Sequence, residues 1–234
     1  MAGARSGLSM PGTRDSVVED PTVIVPRPEL DTIRSETAAD REDRSETGGV
    51  LIGRRLDDER LFCFAATRPG PNAEHHRAEF SPDVDHAQSI LDDYRTEYDV
   101  VWIGTWHKHP GEMNRLSDGD VTQMRDFVRD PETVDEIVAI VTTYVDGVVK
   151  LNPFYMDQTF EWRRIGVEFV DGVGEYESEL RRDDGVEEPN WEGAGDPRGD
   201  DSGPKSSDPG ASRDDRNDRL SRLNDALDRF FGRR

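Results

Sequence analysis

The sequence predicts an α/β domain over residues 21–172, preceded by a tail at 1–20 and followed by a disordered acidic linker and a short helix. Three observations predict it. Apolar runs of strand length alternate with stretches whose apolar residues recur every three to four positions. Gly, Pro, Asn and Asp clusters separate them at short intervals. Beyond about Glu175 the chain turns to Asp, Gly, Pro, Ser and Arg, a composition that cannot bury enough apolar surface to fold.

The elements follow in order. Thr22-Val23-Ile24-Val25 reads as a first strand closed by Pro26, and Pro28 suits the first turn of a helix running to about Arg41 with Leu30, Ile33 and Ala38 on one side. Gly48 to Gly53 reads as a strand whose small residues allow a close backbone approach. Asp57 to Arg60 then turns the chain into a strand over Leu61 to Thr67. A Pro69 to Asn72 loop precedes a helix from about Pro82 to Glu97, with Val84, Ala87, Ile90, Leu91 and Tyr94 at helical spacing. Val100 to Trp106 is a continuous apolar run, hence a buried strand. Ser117 is placed to cap a helix reaching Val128. Ile137 to Tyr144 and Val148 to Met156 form a hairpin around Asp146-Gly147, and Thr159 to Val170 reads as one last strand. The linker spans 173–217. Residues 218–234 recover a helical period through Leu220, Leu223, Leu227 and Phe230.

Composition narrows the function classes. The net charge is −21 and no basic stripe is visible, which argues against a nucleic-acid surface. Only Lys108, Lys150 and Lys205 are lysines among 30 basic residues. An Asp- and Glu-rich surface nearly free of Lys suggests adaptation to very high salt, as in a halophilic archaeon. The single Cys63 permits no intramolecular disulfide, and no run reaches the ~18 apolar residues of a membrane span. A cytoplasmic protein is expected.

Directly after the buried strand comes Trp106-His107-Lys108-His109-Pro110. Side chains alternate along an extended chain, so His107 and His109 point the same way and can share one metal ion. Asp120 lies on the first turn of the helix capped by Ser117, and a loop of this length can fold it back onto the pair. Two histidines and one carboxylate leave one position open on a tetrahedral zinc, as in a catalytic site. Glu46, just before the Gly48-Gly49 strand, is the candidate general acid/base, and Ser117 a candidate oxyanion donor. Lys108 projects away from the histidines and reads as a solvated charge. His75-His76 reads as an exposed loop, because adjacent residues face opposite ways. Trp102 and Trp106, four apart, are expected on one face and in the core.

Glu46, the His107-Lys108-His109-Pro110 run and Ser117-Asp118-Gly119-Asp120 together resemble the JAMM motif of the JAB/MPN metalloprotease family, in which ten residues separate the second His from the Asp. Pro110 to Gly119 supplies those ten. Glu46 to Gly53 resembles the family's glutamate strand, and Pro71-Asn72-Ala73 with Phe80 and Asp83 resembles its prokaryotic branch. The resemblance covers about residues 22–165. It implies a mixed, mainly antiparallel sheet flanked by helices, one catalytic zinc, and cleavage after the C-terminal Gly-Gly of a ubiquitin-like modifier or its conjugates. A metal-free scaffold acting through the C-terminal helix, or a zinc hydrolase of another amide, are the alternatives. That helix could also bind a partner protein; a membrane contact fits it poorly because it is short and carries aspartates.

Overall fold

The computed structural model describes residues 20–39, 45–76, 80–130 and 134–182. The expectations for the N-terminal tail, for 183–217 and for the 218–234 helix fall outside the described residues. The strands are β1 (Thr22–Pro26), β2 (Gly48–Arg55), β3 (Arg60–Ala66), β4 (Glu74–His75), β5 (Phe80–Ser81), β6 (Val101–Lys108), β7 (Glu136–Val145), β8 (Val148–Asp157), β9 (Trp162–Arg164) and β10 (Gly166–Val170). The helices are α1 (Arg27–Ala39), α2 (Val84–Arg95), α3 (Asp118–Arg129) and α4 (Glu177–Leu180).

Eight strands form one sheet in the order β10-β1-β3-β2-β6-β7-β8-β9, while β4 and β5 make a separate two-stranded ribbon. The sheet is mixed: β1 runs parallel to β10 and β3, and β6 parallel to β7, the other neighbours being antiparallel. The expected single last strand is two, β9 and β10, interrupted at Ile165. They hold opposite edges of the sheet although adjacent in the chain, which brings the sheet close to a barrel.

Alternation sorts the strand side chains into two apolar clusters. One gathers Ile24, Ile52, Phe62, Trp102 and Val141 with Ala87 and Leu91 of α2 and Met124, Phe127 and Val128 of α3. The other gathers Val23, Leu51, Cys63, Trp106 and Ile140 with Leu30 and Ile33 of α1. Each large side chain buried this way contributes about 1.5–3 kcal/mol. Cys63 is fully buried, as expected of a strand residue, and burial pushes its thiol far above the usual range.

Trp102 and Trp106 are both buried but belong to different clusters, contrary to the same-face expectation. The ladder explains it. Leu51 pairs with Gly104 while Ile52 pairs with Trp102, so β6 carries one extra residue opposite β2. Such a bulge shifts every later side chain to the other side. Gly104 makes it possible: a Cβ there would lie 1.8 Å from Val138 O. Gly48 and Gly49 are pinched likewise, with Trp106 O and Thr67 O within 2.3 and 2.1 Å of a built Cβ, as the small residues of β2 suggest.

Turn chemistry follows its residues. Asp146 and Gly147 both take positive φ, 52° and 82°, the two-residue turn that matches strand twist. The fold also continues past residue 172, where composition begins the linker. A 3-10 turn (Gly174–Tyr176) and α4 follow, and Leu180 is fully buried in the first cluster. Among the described residues no helix is long and apolar enough to cross a membrane.

Candidate metal centre

His107 lies one residue before the end of β6 and His109 just beyond it, on the side of the sheet where α3 packs. Their parallel neighbour shows the side: His107 is in register with Val141, a member of the α3 cluster. Asp120 sits on the first turn of α3, which the sequence starts by a reciprocal cap. The Asp120 N–H donates to Ser117 Oγ at 3.1 Å, and the Ser117 N–H donates to Asp120 Oδ2 at 2.6 Å. The cap therefore fixes the carboxylate that faces the histidines.

The three side chains converge. His107 Nε2 and His109 Nε2 are 2.8 Å apart, Asp120 Oδ1 is 3.2 Å from His107 Nε2, and Asp120 Oδ2 is 3.2 Å from His109 Nε2. They form a possible metal-ligand group, with all three ligand atoms within 4.8 Å of one another. Ligands of a tetrahedral zinc at about 2.0–2.2 Å would stand roughly 3.3–3.6 Å apart, so the carboxylate contacts need to open by only a few tenths of an ångström and the two imidazole nitrogens by roughly 0.5–0.8 Å.

Proton counting gives the same answer. His109 Nδ1 lies 3.2 Å from Met113 O. A carbonyl only accepts, so Nδ1 carries the proton and a neutral His109 offers a bare Nε2. Burial would raise the Asp120 carboxyl, but the hydrogen bond and charge of His107, with the Ser117 cap bond, outweigh it, and it lies well below the usual carboxylate range. Burial likewise depresses His107, yet the hydrogen bond and charge of Asp120, with Glu46 adding, carry it above the ordinary imidazole value. An excess of acceptors thus surrounds one proton, and a cation satisfies all of them at once.

Supports surround the ligands. The Met113 loop is held where Arg164 donates to Asn114 O at 3.2 Å, and the same guanidinium bonds Asn152. Thr142 donates to His107 O at 3.4 Å, and Thr37 of α1 reaches Thr142 at 2.9 Å. Such outer bonds orient ligating imidazoles. Sequence reading missed Arg164, Thr142 and Met113, because each is brought in by register or by backbone alone.

Glu46 and Ser117 line the same cavity as His107 and Asp120, a space of about 570 Å³ with Trp106 and Phe80 in its walls. Continuing the ladder that pairs Gly48 with His107 sets Glu46 across from His109. Glu46 is buried beside the ligands. Ser117 accepts the cap bond on Oγ and keeps its O–H for a further partner. Lys108 is buried on β6 rather than solvated: its N–H donates to Thr47 O at 2.7 Å inside the sheet. His75 belongs to β4 of the β4–β5 ribbon, with His76 just after it, a structure too short to show in periodicity.

No family model matches the chain. Over 90 residues it is 34% identical to a protein of Sinorhizobium fredii described as a probable metalloprotease. That match takes in 37% of this chain and 55% of the relative, so it spans about half the relative's length. This α/β chain therefore combines a possible His-His-Asp metal site with local similarity to a protein described as a probable metalloprotease.

Proposed function

We propose that the chain is a zinc-dependent peptidase of the JAB/MPN type, with helices flanking its sheet, that cleaves the amide or isopeptide bond after the C-terminal Gly-Gly of a ubiquitin-like modifier. The observation that carries the reading is the meeting of two imidazoles and one ionised carboxylate beside a cavity that His107, Asp120 and the buried Glu46 line together. The relative's description as a probable metalloprotease supports the hydrolase half, and the resemblance to the JAMM motif supports the substrate half.

His107, His109 and Asp120 would hold the ion, a nitrogen-and-carboxylate set suited to zinc. When bound, it supplies Lewis acidity and draws the pKa of a water toward neutrality. Glu46 takes the proton of the attacking water and returns it to the leaving amine. Ser117, whose O–H the cap leaves uncommitted, donates to the oxygen that gains charge. The Met113 carbonyl holds His109 in the tautomer that keeps Nε2 bare.

The test is cleavage of a ubiquitin-like protein joined through its Gly-Gly end to a reporter amide, in molar salt with zinc. Molar salt is chosen because a chain of charge −21 repels itself in dilute buffer. Cleavage that vanishes with a chelator and with Glu46→Ala supports the reading. A folded, zinc-loaded protein that leaves the substrate intact rejects the proposed specificity.

A further inference from the structure

Glu46 is gripped at its N–H and its carbonyl by His75 of the two-residue strand β4 and by His76 just after it. The Glu46 N–H donates to His76 O at 2.8 Å. The ring Nδ1 of His75 lies 3.0 Å from Glu46 O. Since a carbonyl only accepts, His75 must be the donor and is held as the Nδ1–H tautomer. The same ring stacks at 5.4 Å on Phe80, its partner across the β4–β5 ribbon, and Phe80 lines the cavity that Glu46 lines. His75 therefore touches the backbone of the acid/base residue and the cavity wall together, and it lines a second opening with Pro69, Pro71 and His86.

We propose that His75 is a positioning residue: its Nδ1–H bond to the Glu46 carbonyl, with the ribbon's bond to the Glu46 N–H, sets the reach of the Glu46 carboxylate toward the reacting bond. The role rests on the reading of Glu46 as the acid/base group. The geometry gives it a lever. Glu46 precedes the first paired residue of β2, so the sheet ladder ends just short of it. A reacting group displaced by about 1 Å loses up to roughly 100-fold in rate. The bonds from His75 and His76 continue the restraint across this residue, and the side-chain one is specific to a ring nitrogen at the Nδ1 position.

The experiment compares the full-length, metal-loaded protein with His75→Ala and His75→Asn, the asparagine amide being able to donate from nearly the Nδ1 position. Two readouts are taken. Hydrogen exchange of the Glu46 amide, followed by NMR, reports its placement without any substrate; the Gly-Gly reporter amide reports turnover. His75→Ala is expected to speed Glu46 exchange about tenfold or more. It should lower kcat by about 10- to 100-fold with KM and bound metal unchanged. His75→Asn should restore most of both, which a merely structural role would not do. Unchanged Glu46 exchange in His75→Ala overturns the proposal, as does unchanged kcat or an asparagine variant as impaired as the alanine one. If the parent protein cleaves nothing, the peptidase reading fails by itself, and exchange alone then decides whether His75 places Glu46.

Discussion

The metal ligands and the glutamate reach the same cavity from unlike supports. His107 belongs to β6, paired on both sides by β2 and β7, and Asp120 belongs to a twelve-residue helix with a reciprocal cap. Glu46 stands outside the ladder and is met by a ribbon of two-residue strands. The difference teaches a division of labour. Groups that must meet at about 3 Å are set by core elements. The group proposed to carry a proton between partners is set by a peripheral strap that can be tuned without disturbing the core.

The largest expected effect erases both regions. Gly104→Ala puts a methyl into Val138 O and should destabilise the fold by about 3 kcal/mol or more; a melting curve close to that of the parent would show that the bulge tolerates a side chain. Next comes a change that separates the regions. His109→Ala should abolish stoichiometric metal binding. Glu46→Gln should keep the metal while losing about 10²–10⁴ in turnover. Metal analysis beside the reporter assay checks this, and metal loss in both variants would collapse the distinction.

A third change sharpens the core side. Arg164→Ala releases the Asn114 loop from which Met113 holds His109, and should weaken metal affinity about 10- to 100-fold. Competition with a coloured chelator measures it, and an unchanged constant would show that the loop holds without the arginine. Acid should act on the same group. His107 lies above its ordinary value in the metal-free site, so the proton it holds must leave before metal enters. Affinity should therefore fall as pH falls, by about tenfold per unit for each displaced proton, and level off above the raised value. A pH-independent constant would contradict that account. The smallest effect is Ser117→Ala, which removes one arm of the α3 cap and should cost about 1 kcal/mol in urea unfolding. A further loss of about 10²–10³ in turnover would report the proposed oxyanion contact.

Much of this architecture is legible in residue order, and the exceptions have physical causes. Strands β6, β7 and β8 show as long apolar runs, and α3 shows through Ser117 and Asp120, whose cap is local chemistry. The pairing of His107 with His109 follows from alternation, since both lie beyond the bulge and keep their mutual phase. Trp102 lies before it, which is why counting from the sequence puts the tryptophans together while the ladder separates them. The β4–β5 ribbon is invisible because two residues establish no period. Lys108 looks solvated from its charge, but a position inside a ladder is set by neighbours far away in the chain, here Thr47. Leu180 anchors a short helix inside a polar stretch, where an average over composition hides one buried side chain.

The extra residue in β6 acts like a frameshift in a two-letter reading frame. Upstream of Gly104 the even positions face α3; downstream the odd ones do, and those are His107 and His109. Straightening the strand with its residue count unchanged would turn both imidazoles toward α1, delivering Lys108 to the cavity in their place. The possible metal site is thus encoded by the odd offset, five and seven positions, from Trp102 to the histidines together with the bulge that this offset requires, as much as by the histidines themselves.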